Sequence, residues 1–420
     1  MNNLLTQRLS AWMLALALFS PAAGAAAADG EAMVKVDGGQ LHVTQAGSGA
    51  VTVVFEAGFA SDASVWRKVA PEIAKQARVL VYSRAGTGQS PARKQPLTMA
   101  QSGAEFEQML ALAGARPPFI LVGHSYGGFL IRQFAARNPA QVAGMVFVDP
   151  ADEGLETVLK GVDAARVQQD QRALAASMPP KWQGDLAVVQ AILDAGVLPA
   201  MPALPDVPTV LLSSVRARAQ SDFFQETPAA VRIKRARHQA FFAQFSSGAH
   251  VVTANSGHTI QMQEPELVTA AIGQVLASAA QAAARQERAA ARQVLMTALE
   301  QAGAQLTAGQ RDAAKATVET AIRQGRFGEA EVNGIGFDVM TKGKQVALAG
   351  LIFHYNAQTF AQSDNAADSY GEALLAAQQP KLAQQQFRRA LDLGRANGAS
   401  ARALAAYQDN LAKAEKAGMQ

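Results

Sequence analysis

Phe119-Ile120-Leu121-Val122-Gly123-His124-Ser125-Tyr126-Gly127-Gly128 decides how the chain is read. Phe119 to Val122 have the composition of a buried strand, and Phe129, Leu130, Ile131, Phe134 and Ala135 follow at helical spacing. Between them stands Gly-x-Ser-x-Gly, in the strand–turn–helix context that gives this motif a mechanical meaning. The turn is sharp, so side chains at 123 and 127 would collide with the incoming strand and outgoing helix, which selects glycine. Such a turn holds the Ser125 hydroxyl out at the top of a sheet. It also sets the Tyr126 N–H at a helix start, where it can donate to an oxyanion. The motif alone is short and common; its flanks make Ser125 a candidate nucleophile rather than a turn serine.

Upstream, Met33–Val36 and Gln40–Thr44 alternate around Asp37-Gly38-Gly39 and predict a β-hairpin, with His42 a structural strand residue. Val51 to Ala57 reads as a buried strand and leads into Gly58-Phe59-Ala60-Ser61. If Ser125 is a nucleophile, this loop is where a second oxyanion donor would come from, and the Phe59 N–H is the choice. A plain strand-to-helix turn explains the loop equally well. Arg78–Tyr82 is the next strand and ends in Ser83-Arg84-Ala85-Gly86-Thr87-Gly88-Gln89-Ser90. That loop lacks a full dinucleotide or P-loop spacing, so it reads as a structural turn bordering the pocket. Residues 97 to 114 have helical periodicity.

Downstream, Asn138-Pro139 stops the helix after the serine, and Val142 to Val148 forms a strand ending at Asp149-Pro150. Strands alternating with helices predict an α/β fold with a doubly wound, mostly parallel sheet. From about 151 to 205 the rhythm breaks into Ala- and Gln-rich helical segments, the length of an inserted lid. Its Met178, Trp182, Leu186, Val189, Ile192 and Leu193 are expected mostly in the lid's own core and partly on the pocket. Pro208 to Leu212 resumes the sheet, a polar helix with His238 follows, His250 opens the last strand, and 265 to 277 reads as a closing helix.

A serine needs a base within reach, and the base needs an orienting acid. Of six histidines, His258 alone follows the last strand on a loop, after a glycine and downstream of the serine. It is the expected base; a surface histidine is the bland alternative. His124 neighbours the nucleophile and should point away from it, His238 lies in a helix, and His354 falls in another domain. The acid's usual place is just after the strand ending near Leu212, yet 213 to 221 carries no carboxylate. Asp149, at the tip of the strand after the serine's helix, is favoured over Asp222, with Asp152 and Glu226 behind. Asp149 could equally be a turn former before Pro150.

Residues 33 to 278 resemble the α/β-hydrolase superfamily, in the branch of lidded serine esterases. The resemblance rests on Phe55-Glu56-Ala57-Gly58-Phe59, the loop Ser83 to Ser90, Gly123 to Gly128 and Ser256-Gly257-His258-Thr259-Ile260-Gln261. Where Ser83 stands, family members often have Asp, a departure that affects a loop contact. Some relatives take their acid from the strand after the elbow helix, which the resemblance extends to Asp149. The serine implies acyl-ester chemistry without a cofactor or metal and argues against dehalogenase or epoxide hydrolase activity, which in this fold use Asp at that position. Carboxylesterase activity is the first expectation. Thioesterase, peptidase and acyltransferase use the same triad, and a non-catalytic scaffold acting through the tail is the competing class.

The 420 residues exceed one usual domain. Arg8, the apolar run Leu9–Phe19, Pro21 and small residues through Ala28 predict a cleaved secretory signal over 1–28, export to the periplasm or medium, and no stable membrane anchor. No cysteine is present, which removes disulfides, thiol catalysis and Cys-type metal sites. A net charge of +4 without a Lys/Arg stripe argues against nucleic acid.

The hydrolase part is expected over 29–278, a helical connector over 279–327, and a tetratricopeptide-like helical region over 328–420. The repeat reading rests on Gly371, Leu374, Ala383, Phe387 and Ala390, with a weaker copy at Gly336, Val339, Leu348, Ile352 and Tyr355. A generic helical bundle is the alternative. A concave repeat face could bind a peptide, a partner or a second copy of the chain.

Overall fold

The computed structural model describes residues 30–419. The expected signal over 1–28 lies outside them. The chain divides by packing into two units, meeting in sequence at Ala280 and Gln281.

The first unit runs β1 (Gly30–Val36), β2 (Gly39–Ala46), β3 (Thr52–Glu56), α1 (Ala70–Ala74), β4 (Arg78–Tyr82), α2 (Met99–Leu112), β5 (Phe119–His124), α3 (Gly127–Arg137) and β6 (Val142–Val148). Two inserted helices, α4 (Leu155–Ser177) and α5 (Pro180–Ala195), come next, and α4 is interrupted at Asp163, whose φ is −153°. Then follow β7 (Thr209–Ser214), α6 (Pro228–Phe242), β8 (Gly248–Thr253), α7 (Ile260–Gln263) and the start of α8 (Pro265–Thr307).

These strands form one eight-stranded sheet in the order β1-β2-β4-β3-β5-β6-β7-β8. The β1–β2 hairpin joins β4 antiparallel, and every pairing from β4 to β8 is parallel. The parallel strands are apolar on both faces because helices cover both. On one face Leu80, Leu121 and Phe147 pack with Phe106 of α2 and Phe134 of α3. On the other, Phe55, Ile120, Val122 and Val146 pack with Ile73 of α1 and Val268, Ile272 and Val275 of α8. From β3 the chain first builds one way to β4 and then crosses back to β5 on the other side. The crevice beyond the carboxyl ends of β3 and β5 is therefore a topological switch point, where open α/β sheets place their sites.

The closing helix does not end at 277. It continues as α8 to Thr307, and its first turns are apolar because they cover the sheet. The break expected near 303–309 falls at 308–310, before α9 (Arg311–Gln324).

The second unit holds the rest of α8, α9, α10 (Glu329–Phe337), α11 (Val346–Thr359), α12 (Asp364–Ala376), α13 (Pro380–Ala396) and α14 (Ala401–Ala417). The stretch expected as a separate connector is part of this packing. Leu295 and Leu299 of α8 and Val318 and Ile322 of α9 share one core with Val332, Ile335, Leu348 and Ile352. Gly371 lets α12 sit close to α13, since a Cβ there would come within 2.5 Å of the Phe387 ring. At Gly336 the ring met is that of Phe353, at 2.7 Å.

Candidate active site

β5 delivers Ser125 to the switch-point crevice in a strained conformation. Its φ is +50°, in the left-handed region that a non-glycine residue occupies only under constraint. The constraint comes from packing on both sides. A Cβ on Gly127 would lie 2.6 Å from the Glu56 carbonyl oxygen, and one on Gly123 would lie 2.9 Å from the Gly127 backbone. The main chain holds the turn from within: Ser125 N–H donates to Val148 O, and Ser125 O accepts from the N–H groups of Gly128 and Ala151.

The loop after β3 meets the elbow directly. A Cβ on Gly58 would lie 2.7 Å from His124 Nδ1 and 3.3 Å from Ser125 Cβ. Arg84, in the glycine loop after β4, reaches back beneath it. Its guanidinium donates to Ala57 O at 2.7 Å and to Gly58 O, and pairs with the fully buried Glu56, which also accepts from the Tyr82 hydroxyl. Burial works against the Arg84 charge, but the Glu56 carboxylate outweighs it, so the guanidinium stays charged. With the carbonyls of 57 and 58 turned to Arg84, the next N–H, that of Phe59, is left available. Among the described residues neither the Phe59 nor the Tyr126 N–H has a backbone acceptor. The loop read as a pocket border thus also holds the loop after β3, a contact with no signal in its own spacing. Ser83, at its start, accepts from the Ala63 N–H.

His258 stands on the loop between β8 and α7, with its ring about half exposed. Its Nδ1 donates to Asp149 Oδ2 at 2.7 Å, leaving Nε2 for proton exchange. Three elements hold the loop. His124 Nε2 donates to His258 O at 2.9 Å, Ser214 Oγ donates to Ser256 O at 2.7 Å, and Gly257 N–H donates to the Gln263 side chain at 3.0 Å. No Ser125–His258 hydrogen bond forms among the described residues. Such contacts are often long without substrate and tighten in the complex.

Asp149 directly follows β6 with φ +39° and is almost wholly buried. Besides His258 it accepts from the Ser214 N–H at 2.9 Å and from Lys234 Nζ at 2.9 and 3.0 Å. Burial alone would push its carboxyl up. The Lys234 ammonium and the His258 hydrogen bond more than reverse this and hold it well below the usual carboxylate range. The end of β7, which has no carboxylate at 213–221, contributes a backbone donor instead. Asp222 is exposed and forms no hydrogen bond to His258. Asp152 pairs with Arg237, and Glu226 accepts from Ser221.

His124 was expected to point away from the nucleophile. Its ring lies 4.7 Å from that of His258, centroid to centroid, and props up the His258 backbone. Burial, with His258 adding to it, lowers its pKa to about 3, and burial takes His238 to about 4. Both are neutral when folded but charge readily when unfolded, so between pH 6.5 and these values the unfolded chain binds more protons. Stability is then full above about pH 6.5 and falls as pH drops through that window. The urea midpoint of the first unit's transition should decline between pH 7 and pH 5. An unchanged midpoint would contradict neutral burial of these rings.

A cavity of about 390 Å³ is lined by Phe59, Tyr126, Arg84, Gly86, Trp182 and Val189 among others; it adjoins the elbow through Tyr126, and Ser125 and His258 are not in its lining. Of the insertion residues expected partly on the pocket, Trp182 and Val189 line it, whereas Ile192 and Leu193 pack against Tyr126 and Phe129. Among the described residues no group of His, Asp and Glu is arranged to hold a metal ion.

Residues 51–221 match the model of the alpha/beta hydrolase fold family. The chain is 35% identical over 117 residues to the uncharacterized protein YqjL of Bacillus subtilis, covering 28% of this chain and 46% of the relative. It is 33% identical over 141 residues to lipase LipV of Mycobacterium tuberculosis, covering 33% and 49%. The chain spans less than half the length of these curated relatives. Among solved structures, carboxylesterase CesB (YbfK) from Bacillus subtilis is similar with a TM-score of 0.40 and 16% identity, over 59% of this chain and 91% of that one. A serine hydrolase of carbazole degradation, CarC, gives 0.42 and 18%, over 60% and 99%. Sheet order, elbow and the family match at 51–221 together give the first unit the α/β-hydrolase fold.

Proposed function

We propose that the chain is an exported, cofactor-free serine hydrolase that cleaves carboxylic esters. The observation that carries this reading is the 2.7 Å His258–Asp149 hydrogen bond at the sheet edge that also presents Ser125 at φ +50°. In the reaction, Ser125 Oγ attacks the ester carbonyl while His258 Nε2 takes its proton, and Asp149 supports the imidazolium. The Phe59 and Tyr126 N–H groups hold the tetrahedral oxyanion. Collapse breaks the bond to the alkoxy oxygen, which leaves with the proton from His258. Water, deprotonated by His258, then attacks the acyl-serine; the acyl–Oγ bond breaks, Ser125 Oγ leaves with the proton from His258, and the acid is released.

The cavity beside the oxyanion residues favours compact acyl or alcohol groups. Its volume of about 390 Å³ is at the lower end for ligand sites, and Arg84, Arg93, Lys181 and Asp185 make much of its wall polar. Across p-nitrophenyl esters from acetate to palmitate, kcat/KM should peak at short chains and fall at least about tenfold by palmitate. A rate that climbs steadily to palmitate would overturn the compact-substrate reading. Preferential turnover of thioesters or peptides would move the chain to another branch of acyl transfer. The tail, in the same proposal, is a tetratricopeptide-like surface for a protein partner or a second copy, supported by the Gly371–Phe387 and Gly336–Phe353 approaches.

A further inference from the structure

We propose that Lys234 is a positioning residue that sets the acid limit of the site's working pH range by countering the charge of Asp149. The inference rests on the serine hydrolase reading and adds a residue to it. The Asp149 carboxylate is enclosed and fully engaged: His258 Nδ1 and Lys234 Nζ reach Oδ2 at 2.7 and 2.9 Å, and Ser214 N–H and Lys234 Nζ reach Oδ1 at 2.9 and 3.0 Å. Lys234 comes from α6, 85 residues away in sequence, and its side chain is only 19% exposed. Water therefore screens the pair weakly.

In a Ser-His-Asp site the acid's negative charge favours the imidazolium that forms as the serine gives up its proton. Here an ammonium shares that carboxylate, so the acid and its partner are together neutral before His258 gains a proton. A resting imidazole beside a neutral pair resists protonation more than one beside a bare carboxylate. The base then stays available at lower pH.

Other groups around His258 do not supply this effect. From β5, His124 is buried and neutral, and from α6 so is His238. Asp152, after β6, is paired with Arg237 of α6, Glu153 with Arg132 of α3, and Arg84 with Glu56. Glu264, beyond the His258 loop, accepts from Thr253 and Ser256. Those hydroxyls leave Glu264 charged, but it is unaltered in the variants below; among the described residues Asp149 is the charged group hydrogen-bonded to the ring and Lys234 the cation paired with it.

The test is the pH profile of kcat/KM on a soluble short-chain ester for the full mature protein, Lys234→Gln and Lys234→Arg. Gln keeps a donor to the buried carboxylate but drops the charge, and Arg keeps the charge. The acid limb of Lys234→Gln should move up by about one pH unit, a tenfold loss of rate just below the original limb. Lys234→Arg should keep the original limb. Lys234→Met serves with the same expected shift if the Gln variant fails to fold. A folded neutral variant with an unmoved limb, or an Arg variant shifted like Gln, would overturn the role of Lys234. Labelling of the unaltered protein by a fluorophosphonate separates the two levels: no label at Ser125 overturns the hydrolase reading and this inference with it. Label with an unmoved limb overturns Lys234 alone.

Discussion

Ser125→Ala should lower ester turnover by about a millionfold, leaving only what the oxyanion donors and substrate binding supply. No neighbour can replace the hydroxyl. His124 is neutral and spends its Nε2–H on the His258 carbonyl. Folding should be little affected, because the contacts that hold the elbow are main-chain ones, from Val148 O, Gly128 N–H and Ala151 N–H. Alanine also meets the φ of +50° with about the same strain as serine. The thermal midpoint should therefore stay within a few degrees while kcat collapses. Residual turnover above about a thousandth of the original would point to a different nucleophile.

Asp149→Asn should cost about ten thousandfold in kcat, because an amide can face the imidazole with a donor and leave it in the wrong tautomer. Stability should fall as well, by about 3 kcal/mol, the low end for stranding one partner of a buried ion pair, since Lys234 loses its counter-charge. Asp222→Asn is the control. Its carboxylate is exposed and away from His258, so activity should stay within about twofold. The reverse pattern, with Asp222→Asn inactive and Asp149→Asn spared, would remove Asp149 from the mechanism.

Much of the scaffold is legible in the sequence because buried parallel strands are short apolar runs between glycine and proline punctuation. Arg78–Tyr82 and Val142–Val148 are strands with the bounds their composition suggests. Ser125 and His258 carry local signatures, a glycine-flanked serine and a histidine on the loop after the last strand. The acid has none. Asp149 and Asp222 compete on position alone, and nothing in the sequence tells that Asp149 is the one hydrogen-bonded to His258. Lys234, Arg84 and Ser214 escape notice for a similar reason. Each acts on a group far along the chain, such as Asp149 at 85 residues or Gly58 at 26, through contacts that leave no periodic mark. The length of α8 is hidden by a change of role. Its apolar residues cover the sheet up to about Ala279, and its later turns pack in the second unit, so one helix carries two compositions.

The most direct single measurement is labelling of the purified protein with a fluorophosphonate, followed by peptide mapping of the adduct. A base-activated serine at the elbow predicts stoichiometric phosphonylation confined to Ser125, lost in Ser125→Ala and slowed by orders of magnitude in Asp149→Asn. A folded protein that takes up no label, or takes it at another residue, would contradict the catalytic site described here.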